Sequence, residues 1–118
     1  MSLDGKGVQR TAREVADGLP GTSSGYPFTE RLRVWKFAGK VFLLVTEDDP
    51  DSEIITVKVD PDRGDALRRK HPSISRGRYL NKEHWISVAA GQGITRNVVE
   101  DLVLGSYELV GPTPDTAR

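Results

Sequence analysis

Six cations of this chain stand on or beside runs that read as β-strand: Lys36, Lys40, Lys58, Arg76, Arg78 and Lys82. Gly77 separates Arg76 from Arg78 and offers a backbone without a side chain, which another molecule can approach closely. Tyr79 and Trp85 lie in the same region and supply ring faces for stacking. Cations interleaved with aromatics on a sheet suit phosphate contact combined with base or sugar contact. The competing reading is a solvated charged surface with no ligand. Between positions 68 and 82 the charged residues are Arg68, Arg69, Lys70, Arg76, Arg78 and Lys82, with no acid among them. Between 47 and 53 they are Glu47, Asp48, Asp49, Asp51 and Glu53, with no base. The formal net charge is zero, from 17 basic and 17 acidic residues, so no whole-chain field draws in nucleic acid. A neutral sum can still hide a bipolar surface.

Other chemistry finds little to stand on. Cysteine is absent, which removes thiolate nucleophiles, disulfides and thiolate-bound metals. The two histidines, His71 and His84, fall in different elements without helical ligand spacing. The acidic run 47–53 lacks the glycine and terminal glutamate of a calcium-binding loop. No G-x-S-x-G occurs, and Ser106 lies inside a helical pattern, where its hydroxyl is expected to bond backbone. Gly5-Lys6-Gly7 and Gly91-Gln92-Gly93 lack the strand-to-helix setting of a phosphate loop. The expectation is a protein that is not an enzyme and uses no cofactor or metal.

The elements that must position the cations are legible. A strand is predicted over 31–37, with Leu32, Val34 and Lys36 on one face and Arg31, Arg33, Trp35 and Phe37 on the other. Trp35 and Phe37 are expected in the core. Gly39-Lys40 is read as the turn, and 41–45, apolar on both faces, as a central strand. After the acidic loop comes a strand over 53–59 with one wet face that includes Lys58. A short edge strand is expected within 23–28, where Pro27 is tolerated. A further strand is expected over 84–88, and 72–82 reads as a loop with a short strand at 77–80.

Three helices complete the pattern. Val8, Ala12, Val15, Ala16 and Leu19 recur at helical spacing and place a helix over 6–17, stopped by Gly18 and Pro20. Asp60-Pro61 opens a short second helix that ends basic, and those terminal cations offset the helix dipole. In the last helix Thr95 caps, Ile94 can staple onto Val99, and Val98, Val99, Leu102, Val103, Ser106, Leu109 and Val110 form the buried stripe. Gly105 is read as a close contact with the sheet. The fold expected is α+β in two layers: an antiparallel meander with the N- and C-terminal helices packed on one face. A chain of 118 residues suits one domain, with 112–118 as a loose tail. No apolar run approaches the ~18 residues of a membrane span, and the first residues lack a signal-peptide core. A cytoplasmic location without membrane partners is expected.

The order Phe37-Ala38-Gly39-Lys40-Val41-Phe42, Val57-Lys58-Val59-Asp60-Pro61, His84-Trp85-Ile86-Ser87-Val88 and Leu102 through Val110, with Ser106-Tyr107 inside it, resembles the MmcQ/YjbR family of small bacterial proteins. The resemblance covers nearly the whole chain and places Lys40, Lys58, Trp85, Ser106 and Tyr107 on the family pattern. It implies a frataxin-like α+β arrangement and DNA binding through a double wing of β-hairpins. Frataxin-like metal handling is not expected, because Asp4, Glu14 and Asp17 are too sparse for an acidic ridge. The acidic loop 47–53 departs from the family pattern. DNA is the expected partner. The alternative is a protein or small ligand held on the wet sheet face, anchored by Trp35, Trp85 and Tyr79.

Overall fold

The computed structural model describes residues 2–77 and 80–111. The elements run α1 (Gly5–Asp17), β1 (Thr22–Gly25), β2 (Leu32–Phe37), β3 (Lys40–Thr46), β4 (Ile55–Lys58), α2 (Pro61–Lys70), β5 (Ile74–Arg76), β6 (Trp85–Val88) and α3 (Arg96–Val110). All strands join one antiparallel sheet in the order β1-β2-β3-β4-β6-β5. The first four form a meander, as short connections require, and β3 sits inside the sheet, as its two apolar faces predict. Arg78, Tyr79 and the expected tail 112–118 lie outside the described residues.

The β2–β3 hairpin turns on Ala38 and Gly39, both with positive φ (54° and 78°), while Phe37 pairs with Lys40. Two positive-φ residues give the hairpin turn whose twist matches that of the strands. The turn therefore sits one residue earlier than Gly39-Lys40, and Lys40 belongs to a strand. A β-bulge follows. Trp35 pairs with Leu43 but Lys36 pairs with Val41, so Phe42 is the extra residue. The bulge lets Phe42 and Leu43 both enter the helix-side core.

That core joins α1 (Val8, Ala12, Ala16) and α3 (Val99, Leu102, Val103, Val110) to Trp35, Val45, Val57 and Ile86 of the sheet. Leu67 of α2 packs against the same cluster, so all three helices cover one face. Asp4 caps α1 by accepting from the Gly7 N–H at 2.7 Å, and Thr95 caps α3 by accepting from Val98 at 3.3 Å. Ile94 and Val99 are both fully buried, consistent with the expected staple. Two residues of the α3 stripe differ from expectation. Leu109 is 41% exposed, and a Cβ on Gly105 would meet Arg63 of α2, not the sheet. At 3.6 residues per turn the stripe centres on Val99, Val103, Ser106 and Val110, which leaves Leu109 at its margin and Gly105 beyond it.

Ser106 and Tyr107 hold α3 to the sheet. The Ser106 hydroxyl donates to the Phe42 carbonyl at 2.7 Å and accepts from the Lys58 N–H at 2.8 Å. It thereby fills the gap where the β3–β4 ladder ends at the Leu43–Val57 pair. The expected backbone bond exists, but it reaches two strands and not the serine's own helix. Tyr107 stacks on Phe37 with centroids 4.3 Å apart, meets Phe42 edge-on, and donates to the Pro20 carbonyl at 2.7 Å. Gln9 of α1 bridges the other end of the β3–β4 pair by donating to the carbonyls of Thr46 and Ile54.

The segment after α2 departs from the sequence reading. The strand there is Ile74–Arg76, not 77–80. Ile74 drops into the core and anchors the edge, and the backbone pairs with β6 through Ile74–Val88, Ser75–Ser87 and Arg76–Ile86. Gly77 ends this pairing by donating to the Trp85 carbonyl at 2.7 Å. A Cβ on Gly77 would lie 2.4 Å from the Trp85 Cβ and 2.9 Å from its backbone. Neither neighbour can move without breaking the β5–β6 pairing, so Gly77→Ala should destabilise by at least ~2 kcal/mol. Chemical denaturation checks this, and exchange of the β5 and β6 amides should quicken most.

Candidate functional site

The face of the sheet away from the helices carries Leu32, Val34 and Lys36 from β2, Val41 and Leu44 from β3, Thr56 and Lys58 from β4, and Trp85 and Ser87 from β6. This follows from the alternation of side chains along each strand. Lys36 and Lys58 stand on one transverse row of this open face. Lys36 is opposite Val41 and Lys58 is opposite Trp85. Two strand spacings separate them, the β3–β4 one widened by the Ser106 hydroxyl between Phe42 and Lys58.

The other cations fall around that row. Lys40 lies opposite Phe37, beside the β2–β3 turn, and is exposed. Arg76 sits on the edge strand β5 opposite Ile86, so its register belongs to the helix-side face, yet at the sheet edge it also lines the rim of the cleft that Ser75 and Ser87 enter from the open face. Lys82 is exposed in the connection to β6 and lines a cleft on the open face. Arg78 and Tyr79 lie outside the described residues. Among the described residues none of these five cations is ion-paired with an acid. Asp60 and Glu83, both exposed, adjoin the row in sequence.

The acidic loop is at the opposite end of β3 and β4. Its charges pair with α1: Arg13 with Glu47 at 3.6 Å and Lys6 with Glu53 at 4.0 Å. The Tyr26 hydroxyl also donates to Glu47 at 2.5 Å. That hydrogen bond, more than burial or the carboxylate charge, holds the Tyr26 phenol above its ordinary value of 10.0. The two charged blocks therefore do not pair within the described residues. Lys36, Lys40 and Lys58 stand at the other end of β2–β4 from the acidic loop, whereas β5 begins at that loop's end, with Ile74 opposite Val88 and Val88 opposite Ile55.

The tryptophans take structural places. Trp35 is fully buried on the helix side, where its indole N–H donates to Asp17 at 2.8 Å and Arg33 lies 4.7 Å over its ring. Trp85 is 9% exposed and clusters with Leu32, Val34 and Leu44 on the open face, with Leu80 packed against them. Neither ring presents a free face for stacking. Sequence reasoning missed the aromatic that does stand free: Phe28 is 61% exposed. Its place in a Gly- and Pro-containing connection concealed it, since such a segment shows no periodicity to read. Phe28, Leu32, Leu44 and Leu80 line an apolar cavity of about 480 Å³. A second cleft, of about 300 Å³, opens at the β5–β6 edge between Ser73, Ser75, Arg76, Gly77, Lys82 and Ser87. No helix among the described residues is long and apolar enough to cross a membrane.

The fold and these residues can be set beside known proteins. The chain is 34% identical to the uncharacterized protein YbdF of Escherichia coli O157:H7 over 108 residues, covering 92% of this chain and 88% of YbdF. The crystal structure of Deinococcus radiodurans protein DR2400, a DUF419 domain, matches with a TM-score of 0.75 at 36% identity, over 83% of this chain and 74% of that one. A Pseudomonas syringae structure matches in fold, with a TM-score of 0.68 at 23% identity, over 82% of this chain and 93% of its own. The YjbR family model spans residues 17–109, which include the hairpin, Lys58, Trp85, Ser106 and Tyr107, so the chain belongs to the YjbR family.

Proposed function

We propose that this protein binds DNA without catalysing a reaction, through phosphate contacts from the turn end of its open sheet face. The observation that carries the reading is the separation of charge. Lys36 and Lys58 share a row of that face, Lys40 stands at its tip, and the acids of the 47–53 loop lie at the far end with α1 cations beside them. In a double-wing arrangement the β2–β3 hairpin would be one wing, since it carries Lys36 and Lys40. The acidic loop joins β3 and β4 at the end away from Lys40. Arg76 and Lys82 would extend the basic surface toward the β5 edge.

The test is binding of a labelled ~30-base-pair duplex at ~50 and ~200 mM salt, where about six phosphate contacts should lose roughly 10³ in affinity. Absence of binding at the lower salt would overturn the reading. The apolar cavity between Phe28 and Leu80 favours a second one, a small apolar ligand, with Phe28 replacing the tryptophans as the anchor. Such a ligand would change Trp85 fluorescence without salt dependence.

A further inference from the structure

A cleft beside β1 and β2 carries Lys36 with Ser23 and Ser24 and no carboxylate, but the cleft at the β5–β6 edge carries two cations. Arg76 and Lys82 line it together with Ser73, Ser75 and Ser87, and no carboxylate does. The larger cleft beside α1 sets Lys6, Arg10 and Arg13 against Glu47, Asp49 and Glu53, so its charges offset one another. The apolar cavity has Glu47 and Asp49 at its rim beside Arg31. Ser75 and Ser87 are cross-strand partners, which puts both side chains on the open face. The Ser73 hydroxyl is buried and has no hydrogen-bond partner among the described residues. Gly91 makes room for it, because a Cβ there would come within 2.6 Å of that oxygen. A buried hydroxyl left unsatisfied is destabilising, and a hydroxyl needs only a rotation about its Cα–Cβ bond to meet an acceptor that enters.

We infer that this cleft is a phosphate-ester site, in which Arg76 and Lys82 neutralise the charge while Ser73 and Ser75 donate hydrogen bonds. The inference rests on the anion-binding reading above and narrows it to one pocket. The cleft volume, about 300 Å³, has room for one small group. A phosphate of the DNA backbone and that of a free phosphorylated molecule present the same oxygens to these donors.

The experiment is amide-resolved NMR titration of the full chain with inorganic phosphate and with dimethyl phosphate, followed by duplex DNA. Saturable shifts centred on Ser73, Ser75, Gly77 and Lys82 are expected. Lys82→Ala and Arg76→Ala, both at exposed positions, should each weaken phosphate binding about tenfold, the usual size of one lost charge-assisted hydrogen bond. Ser73→Ala should weaken it while leaving thermal stability equal or higher, which a merely structural hydroxyl would not do. Shifts spread over all the surface lysines, or unchanged affinity in all three variants, would overturn the site. DNA binding that persists unchanged in the Lys82 and Arg76 variants would also overturn it as the DNA contact, while leaving the basic row of Lys36 and Lys58 in place. Saturable phosphate binding without any DNA binding would support the cleft as a small-molecule site and remove the DNA reading.

Discussion

Replacing Ser106 with alanine is expected to cost about 2–4 kcal/mol of stability, because two backbone groups each lose a partner whose absence costs roughly 1–3 kcal/mol. The serine oxygen sits between the Phe42 carbonyl and the Lys58 N–H, where the β3 and β4 backbones have parted. Alanine fills nearly the same volume, so the loss is almost wholly polar. Water entering the gap would reduce the cost, and the fully buried position of Ser106 opposes that. For a domain of this size each kcal/mol moves the melting temperature by roughly 4 °C, so a fall of about 10 °C is expected. Thermal melting of Ser106→Ala measures it. Hydrogen exchange adds a local readout, since the Lys58 amide should lose protection. A variant that melts within a degree or two of the wild type would show that the bridge contributes little.

Lys36→Ala combined with Lys58→Ala should weaken duplex binding about 10²-fold at ~50 mM salt, the effect of removing two phosphate contacts. At ~200 mM salt the same substitution should cost only about 8-fold, because fewer counterion-release gains remain to be lost. The slope of log affinity against log salt should flatten by about 1.8, and the weakening should be alike for all sequences, since phosphates carry no base identity. Lys6→Ala is the matched control. Lys6 is a lysine of equal charge at the acidic end, beside Glu53, and its loss should leave DNA affinity unchanged. Equal effects of Lys6→Ala and of the double substitution would mean that DNA responds to total charge and not to this row. A double variant with the wild-type slope would remove Lys36 and Lys58 from the interface.

These two substitutions act on neighbouring parts of one structure. The hydroxyl of Ser106 fixes the backbone of Lys58, whose side chain lies on the opposite face of the sheet. A serine on the helix side therefore supports the lysine row, and part of any binding loss in Ser106→Ala should come from loosened placement of Lys58. Family membership and binding geometry are thus separable. Ser106 and Tyr107, which match the family pattern, secure α3 to the sheet through Phe42, Lys58, Phe37 and Pro20. The basic row depends on that attachment without including either residue.

The element boundaries were legible wherever a local signal decided them. Thr95, Pro61 and the helix-period stripes act within a few residues, so α1, α2 and α3 lie close to where the pattern puts them. The alternation in β2 and β4 also assigned Trp35 and Phe37 to the core side and Lys36 and Lys58 to the other. The short edge strand was misplaced because Ile74–Arg76 has almost no alternation of its own. It exists through pairing with β6, some ten residues away in sequence.

Sequence alone determined the α+β class, the meander, the two charged blocks and the family pattern, all of which rest on spacing along the chain. Tertiary structure decided what those residues do. Trp85 lies at a strand position where an exposed ring was expected, yet Leu32, Val34, Leu44 and Leu80 cover it, and those partners come from three other segments. The bulge at Phe42, the bridging hydroxyl of Ser106 and the pairing of the acidic loop with α1 are likewise contacts between segments distant in sequence. Local propensity sees a few residues at a time. Burial, charge pairing and the satisfaction of a stranded carbonyl are properties of neighbours in space, and only the folded chain brings those neighbours together.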